Sequence, residues 1–253
     1  TFIRQTMPFN FHDFRNSFYF AITLPSRQYG NGMNIFRRKS LRQLVANFRN
    51  EYVSHGLDEQ TLKPNPIDQF DDWFQDAVRN KLPEPNALHL ATVNSEGKPS
   101  GRIMLLKGYD DSGFVFFTNY ESRKGNELNG NHHAAITFLW LELFRQVRME
   151  GVVSKVSERE SDEYFHSRPR TSQLGALVSA QSKVLTSRAE LDQQYADAEK
   201  KFSGQEIPRP AYWGGYRLKP ERMEFWQGRA SRLHDRILYS LNADRWVKQR
   251  LYP

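Results

Sequence analysis

Hydrophobic spacing along the chain changes from helical to strand-like, and the change predicts two groups of elements. A first helix begins near residue 40, with apolar positions at Leu41, Leu44, Val45 and Phe48. A second helix is expected from Pro66, with Asn65 as its N-cap. Its predicted apolar face consists of Ile67, Phe70, Trp73, Phe74, Ala77 and Val78.

From residue 87 onward, the alternation of apolar and polar positions indicates strands. Turn sequences separate predicted strands 87–94, 101–108, 114–119, 134–140 and 146–155. A short helix is expected over 122–128, and capping boxes at Ser157 and Ser187 predict two more. Three or four strands are expected to close the chain, over 213–218, 223–227, 237–239 and 246–250.

Short antiparallel strands with helices between them are typical of an α+β, mainly β fold built on a closed or nearly closed barrel. No internal repeat or linker follows residue 40, so 41–253 is predicted to be a single domain. Residues 1–50 hold eight Arg or Lys against one acid, Asp13. This composition fits either a disordered leader over 1–40 or an organelle-targeting one, and mitochondrial targeting stays open beside a cytoplasmic location.

Composition excludes several kinds of chemistry. The 253 residues include no cysteine, which removes disulfides, thiolate nucleophiles and Cys-based zinc sites. No apolar run is long enough for a membrane span, and the dinucleotide, Walker and nucleophile-elbow motifs are missing. The neighbours His132 and His133 lack a third ligand at metal spacing, so no metal is expected. The net charge of +7 suits nucleic acid, an anionic membrane or a phosphorylated small molecule.

Two cation clusters lie at predicted strand ends. On strand 101–108, alternation sends Arg102 and Met104 to one face and Lys107 to the other. Arg123 and Lys124 open the helix after strand 114–119, where basic residues oppose the helix dipole unless an anion compensates. Free N–H groups and two cations at one helix start suit a phosphate.

Two further clusters combine cations with aromatic or hydroxyl groups. Within 164–173, Tyr, Arg and Ser side chains are close enough to converge on a phosphate dianion. Arg232, His234 and Arg236 would share one side of the chain if that segment is extended.

Together these segments resemble the pyridoxamine 5'-phosphate oxidase family over about residues 48–253. The resemblance rests on the ordered set RIMLLK, FFTNYESRKG, RQVRMEG, YFHSRPRTSQLGA, VSAQS, YWGGYRL and FWQGRASRLHDR. It implies an FMN-binding split β-barrel with peripheral helices, assembled as a homodimer with each FMN at the subunit interface. The chain ends in Arg-Leu-Tyr-Pro where the family usually has Arg-Leu-Ala-Pro.

The resemblance also implies roles for individual residues. FMN contacts are implied for Arg102, Ile103, Met104, Leu105, Phe117, Thr118, Arg123, Lys124, Gln146, Gln181, Ser182, Trp226 and Arg236. Substrate contacts are implied for Lys107, Tyr164, Arg168 and Ser172 around a phosphate, and for Arg49 and Tyr52 in an N-terminal lid. Arg232 and His234 are implied over the substrate ring as the catalytic pair.

The activity implied is oxidation of pyridoxine or pyridoxamine 5'-phosphate to pyridoxal 5'-phosphate by O2. Hydrogen peroxide is released, with ammonia from the amine. Another split-barrel flavin oxidoreductase and a non-catalytic FMN or pyridoxal-phosphate carrier remain alternatives. A nucleic-acid-binding module would need its basic residues on one continuous face, and neither nucleic acid nor membrane is expected as a partner.

Overall fold

The computed structural model describes residues 56–253. The first predicted helix, the leader, Arg49 and Tyr52 therefore lie outside the described residues. The α-helices are α1 (Pro66–Arg79), α2 (Arg123–Gly130), α3 (Glu158–Ser167), α4 (Arg170–Val178) and α5 (Arg188–Lys201). The strands are β1 (Ala87–Val93), β2 (Pro99–Leu105), β3 (Gly108–Asp110), β4 (Gly113–Asn119), β5 (His133–Trp140), β6 (Arg145–Lys155), β7 (Trp213–Gln227), β8 (Asp235–Asn242) and β9 (Arg245–Leu251). Short 3-10 turns follow β5 and β7.

Helix α1 begins as its sequence predicts. The Asn65 side chain accepts a hydrogen bond from the Ile67 backbone N–H at 2.9 Å, and Pro66 occupies the first turn. Phe70 is fully buried in the barrel core, whereas Val78 is 51% exposed. The predicted apolar face of α1 is therefore right for its first three turns and wrong at Val78.

All strands belong to one antiparallel sheet in the order β2-β1-β5-β6-β7-β4-β3, with β8 and β9 attached through β7. Strand β7 pairs with β6 along one edge. Along its other edge, its first half pairs with β4 and its second half with β8. Because two different strands share that edge, the sheet divides there, which gives the split form of the barrel.

The two faces of the curled sheet differ in character. The inner face carries the main core, including Leu88, Leu90, Ile136, Val147 and Phe225. A second, smaller core lies under α3, α4 and α5, around Phe165, Leu174 and Trp213. Sequence alternation predicts the first core, whereas the second forms where the consecutive helices α3, α4 and α5 pack together against the start of β7.

The structure joins two predicted strands into one and adds one helix that the sequence did not predict. Predicted strands 213–218 and 223–227 form the single strand β7, which runs through Pro220 because a register shift in β6 between Glu150 and Gly151 accommodates it. Helix α4 was not predicted, since its residues carry no side-chain N-cap and follow Pro169 directly. Among residues 56–253, no helix is long and apolar enough to cross a bilayer.

Candidate active site

A cation cluster, defined here as Arg102, Arg123 and Lys124, surrounds the carboxylate of Glu127. Arg102 on β2 and Arg123 on α2 lie 3.2 and 2.9 Å from its two oxygens. Burial opposes ionisation of Glu127, but hydrogen bonds from Ser100 and Thr92 and from the two arginines outweigh it and lower its pKa to about 2. The carboxylate is therefore an anion throughout the neutral range.

Lys124 completes the cluster from the first turn of α2. Its ammonium group donates to Gln181 Oε1 at 2.8 Å and to Thr118 Oγ1 at 3.1 Å. Burial and the neighbouring Arg102 lower the pKa of Lys124 to about 8, although Glu127 acts in the opposite direction. The structure thus brings together five residues for which the family resemblance implies flavin contacts: Arg102, Thr118, Arg123, Lys124 and Gln181.

Local sequence fixes where this helix starts. Ser122 is its N-cap, and its hydroxyl accepts from the Gly125 N–H at 3.3 Å. A β-carbon on Gly125 would lie 2.1 Å from the Tyr120 carbonyl oxygen, so only glycine allows α2 to fold back this tightly after β4. That turn places Lys124 beside Thr118.

An arginine pocket adjoins the cation cluster through Gln181. The cleft, of about 280 Å³, is lined by Arg168, Ser172, Gln181, Asn119 and Trp213 among others. The Arg168 guanidinium lies 4.6 Å from the centre of the Trp213 indole ring. Among residues 56–253, its buried Nη1 has no hydrogen-bond partner.

Aromatic rings form one wall near this pocket. Phe117 stacks on Tyr164 with ring centres 3.9 Å apart, and Trp213 lies 5.6 Å from Phe117. Burial lowers the pKa of Arg168, while Tyr164 acts in the opposite direction. An unpaired buried guanidinium nitrogen in an aromatic-lined cleft fits an anionic ligand group such as a phosphate.

The outer sheet face holds a separate group of predicted flavin contacts. Cross-strand pairing places Leu139, Gln146, Trp226 and Arg236 in one row on that face. Ile103 lies on the same face, in the adjacent row of paired positions, and is 67% exposed. Leu139 is 56% exposed, so this face carries large apolar side chains in contact with solvent.

Arg236 makes internal contacts on that face. Its guanidinium binds both oxygens of the buried Glu224 at 2.9 and 3.0 Å and donates to the Tyr252 carbonyl. Arg148 binds the same carboxylate. Glu224 therefore fixes the position of Arg236, and its hydrogen bonds raise the pKa of that guanidinium further.

The predicted catalytic pair lies in the loop before β8. Ser231 and Arg232 adopt left-handed backbone conformations, with φ of 58° and 60°. The segment is therefore not extended at Arg232, so the condition under which Arg232, His234 and Arg236 would share one side is not met. The strand begins only at Asp235, because a 3-10 turn occupies Ala230–Arg232. His234 Nδ1 accepts the Arg229 N–H at 3.1 Å, and burial together with Arg232 lowers the pKa of His234.

Alternation correctly predicts which side chains of β2 share a face, but Lys107 lies beyond the end of the strand, so the prediction for it does not apply. Arg102 and Met104 pair with the core residues Leu90 and Leu88, so both lie on the inner face. Strand β2 ends at Leu105, and Lys107 follows it as an exposed residue. Leu105 shares the outer face with Ile103, and Ser182 lies in an exposed loop with φ of 72°.

Two buried carboxylates at the site, Glu127 and Glu224, were not predicted. Glu127 binds Arg102 on β2 and also Arg123, which lies one turn earlier on α2 and is its only partner at helical i,i+4 spacing among these ion pairs. Glu224 binds Arg148 and Arg236 on the two neighbouring strands, so no local motif marks it. The adjacent basic residues at the start of α2 gave a further, indirect signal for Glu127, since they require a compensating anion.

The cation cluster fits the phosphate of FMN by its donor chemistry. Three cations and one carboxylate leave two positive charges, which match a phosphate dianion. Within the described range 56–253, the hydrogen bonds of buried Lys124 reach only neutral oxygens, those of Thr118, Ser122 and Gln181.

Comparison with known proteins places these residues in a family context. A family model described as pyridoxamine 5'-phosphate oxidase matches residues 74–202, and one described as pyridoxine 5'-phosphate oxidase C-terminal dimerisation region matches 213–253. A pyridoxine/pyridoxamine 5'-phosphate oxidase of Nostoc sp. is 54% identical over 210 residues, covering 83% of this chain and 98% of that protein.

Two solved structures have a similar fold. PhzG from Burkholderia lata, in complex with tetrahydrophenazine-1-carboxylic acid, is 31% identical with a TM-score of 0.76, covering 81% of this chain and 100% of that one. A pyridoxamine 5'-phosphate oxidase-related, FMN binding protein from Nostoc punctiforme is 17% identical with a TM-score of 0.60, covering 76% of this chain and 99% of that one. The second likeness concerns the fold alone.

Proposed function

The chain belongs to the pyridoxamine 5'-phosphate oxidase family, and on that premise we propose that it oxidises pyridoxine and pyridoxamine 5'-phosphates to pyridoxal 5'-phosphate with FMN as cofactor. The observation that carries this conclusion is the 54% sequence identity, across 83% of the chain, with the pyridoxine/pyridoxamine 5'-phosphate oxidase of Nostoc sp.. The alcohol and O2 give the aldehyde and hydrogen peroxide. The amine also consumes water and releases ammonia.

Bound FMN supplies the two-electron redox chemistry, and the protein supplies position and electrostatics. Arg102, Arg123 and Lys124, with Thr118 and Gln181, would hold its phosphate. In the arginine pocket, Arg168 would bind the substrate phosphate, assisted by Ser172 and Tyr164. Lys107 is assigned to the same phosphate by the family resemblance. Fixing the phosphate at one end orients the ring at the other, which is where much of the rate arises.

His234 is better suited to polarising the C4' substituent than to deprotonating it. Its Nδ1 already accepts the Arg229 N–H, so the neutral imidazole carries its proton on Nε2. The lowered pKa keeps the ring neutral to a lower pH than an ordinary histidine. Nε2 would then donate a hydrogen bond to the C4' oxygen or nitrogen, with Arg232 supplying positive charge beside it.

We infer that each FMN lies between two copies of the chain. The matched dimerisation region supports the homodimer, and it contains Trp226 and Arg236. Ile103 on β2 is four strand spacings from Trp226 on β7, roughly 19 Å along the sheet. A second copy that covers the outer sheet face would bring its own Trp226 and Arg236 to the flavin held by this cation cluster. We further propose that residues 41–253 form one domain.

An absorbance spectrum of the purified protein, before and after anaerobic addition of pyridoxine 5'-phosphate, tests the function. We expect a bound flavin spectrum that bleaches on addition, and peroxide formation when O2 is admitted. Pyridoxine without its phosphate is the control and should bleach the flavin far more slowly. A flavin that pyridoxine 5'-phosphate leaves oxidised would favour a non-catalytic carrier.

A further inference from the structure

Glu127 is an unexpected residue for an anion-binding site. Its carboxylate lies among the cations assigned to the flavin phosphate, and its side chain is only 5% exposed. An anion in that position either competes with the phosphate for the cations or holds them in place. The contacts of Glu127 distinguish these two possibilities.

The sheet, and not the arginines alone, fixes the carboxylate. Thr92 on β1 and Ser100 on β2 donate to Glu127 Oε2 at 2.5 and 2.6 Å. Arg102 reaches the same oxygen and also donates to both hydroxyls. A rigid framework of strand hydroxyls therefore sets the position of the anion to which the arginines bind.

The two arginines depend on this anchor to different degrees. Arg102 is 18% exposed and has further acceptors in Thr92 and the Leu90 carbonyl. Arg123 is 64% exposed, and its Nε binds Glu127 Oε1 at 2.9 Å. A long exposed side chain without an anchor would lose conformational entropy on binding a ligand.

We propose that Glu127 is a positioning residue, which holds Arg102 and Arg123 beside Lys124 so that the cluster receives the FMN phosphate already ordered and with a matching charge. The proposal rests on the function proposed above. Pre-ordering lowers the entropic cost of binding, and it places three cations together without the ligand.

Glu127→Gln removes the charge and keeps the side-chain shape. The FMN dissociation constant, measured on the apoprotein by quenching of flavin fluorescence, should rise on the order of tenfold. Glu121→Gln is the matched control, because Glu121 is an exposed carboxylate beside the same helix start, and its substitution should leave the constant nearly unchanged. An unchanged or tighter constant for Glu127→Gln would overturn the proposal, since it would mean that the carboxylate is idle or competes with the phosphate.

Double variants test whether Glu127 acts through the arginines. Combining Glu127→Gln with Arg102→Gln, and separately with Arg123→Gln, should weaken FMN binding by less than the product of the single effects in at least one pair. Fully multiplicative effects in both pairs would contradict the proposal. Thermal unfolding of each apoprotein measures folding independently.

If Glu127→Gln does not fold, Glu127→Asp takes its place. The shorter carboxylate cannot reach all four donors, so weaker FMN binding by a folded Glu127→Asp supports the proposal and unchanged binding overturns it. Failure of the wild-type protein to bind FMN would instead overturn the proposed function. The two failures are therefore distinguishable.

Discussion

The guanidinium of Arg168 lies over the indole ring of Trp213, with 4.6 Å between the guanidinium carbon and the ring centre, and leaves its buried Nη1 without a partner among residues 56–253. The stacking holds the cation in one orientation, and the unpaired nitrogen is available to a ligand. Burial of an unsatisfied charged donor costs free energy that a phosphate oxygen would recover. This relationship makes Arg168 the strongest candidate for the substrate phosphate.

Arg168→Ala should therefore raise KM for pyridoxine 5'-phosphate by about 10- to 100-fold and change kcat less, because the phosphate contact is the same in the ground and transition states. Steady-state kinetics measure both constants. Arg170→Ala is the control, since Arg170 is exposed and donates to the Phe202 and Gln205 carbonyls. Equal effects of the two substitutions would argue against the phosphate role.

Arg232→Ala should lower kcat as well as raise KM, while FMN stays bound. Arg232 lowers the pKa of His234, which places its charge beside the group expected at the reacting carbon. Charge changes there during oxidation, so the interaction differs between ground and transition states. Kinetics combined with flavin absorbance measure the effect. A change in KM alone would reassign Arg232 to the phosphate, and loss of flavin would reassign it to the cofactor.

FMN binding should weaken as the pH rises above about 8. Lys124 has its pKa lowered to about 8, so it is protonated below that pH and loses its charge above it. The phosphate binds the protonated form better, which raises the pKa of Lys124 in the complex. Between the two pKa values, one coupled proton weakens binding by at most about tenfold per pH unit.

Fluorescence titrations from pH 7 to 9.5 measure this dependence. Lys124→Met, which has no proton to lose, is the control and should bind FMN weakly with no step near pH 8. A wild-type dissociation constant that stays flat over this range would show that Lys124 does not contact the anion as a titrating group.

Leu139→Glu should convert the dimer to monomer and release flavin, because Leu139 is 56% exposed on the outer sheet face that the second copy is expected to cover. Val78→Glu on α1 is the matched control, at 51% exposure, and should change neither property. Light scattering gives the mass, and absorbance gives the flavin content. A Leu139→Glu protein that remains a flavin-bound dimer would place the interface elsewhere.

Sequence patterns predicted the parts of the fold that depend on neighbouring residues. The predicted caps at Asn65, Ser157 and Ser187 lie within a few residues of the groups they bind, and the structure confirms them. The sequence did not predict helix α4, because no capping residue marks its start and its buried side arises only from packing against α5.

In the candidate site, too, the sequence predicts what neighbouring residues determine and misses what tertiary packing determines. Arg123 and Lys124 are visible as a motif, and family resemblance extends the set to residues such as Gln181. Glu127 and Glu224 depend on partners brought together from separate elements, as in the bonds from Thr92 and Ser100 to Glu127. Composition and period carry no information about such pairings.

The separation of the cation cluster from Trp226 and Arg236 has a genetic consequence. If each flavin site takes its phosphate-binding half from one copy and its ring-contacting half from the other, then a Lys124 variant and a Trp226 variant would both be inactive as homodimers. Mixed after subunit exchange, they would form heterodimers with one doubly defective site and one intact site. Co-expression of two defective alleles should then restore activity, up to about a quarter of the wild-type level for random pairing at equal amounts, since half the dimers carry one working site of two.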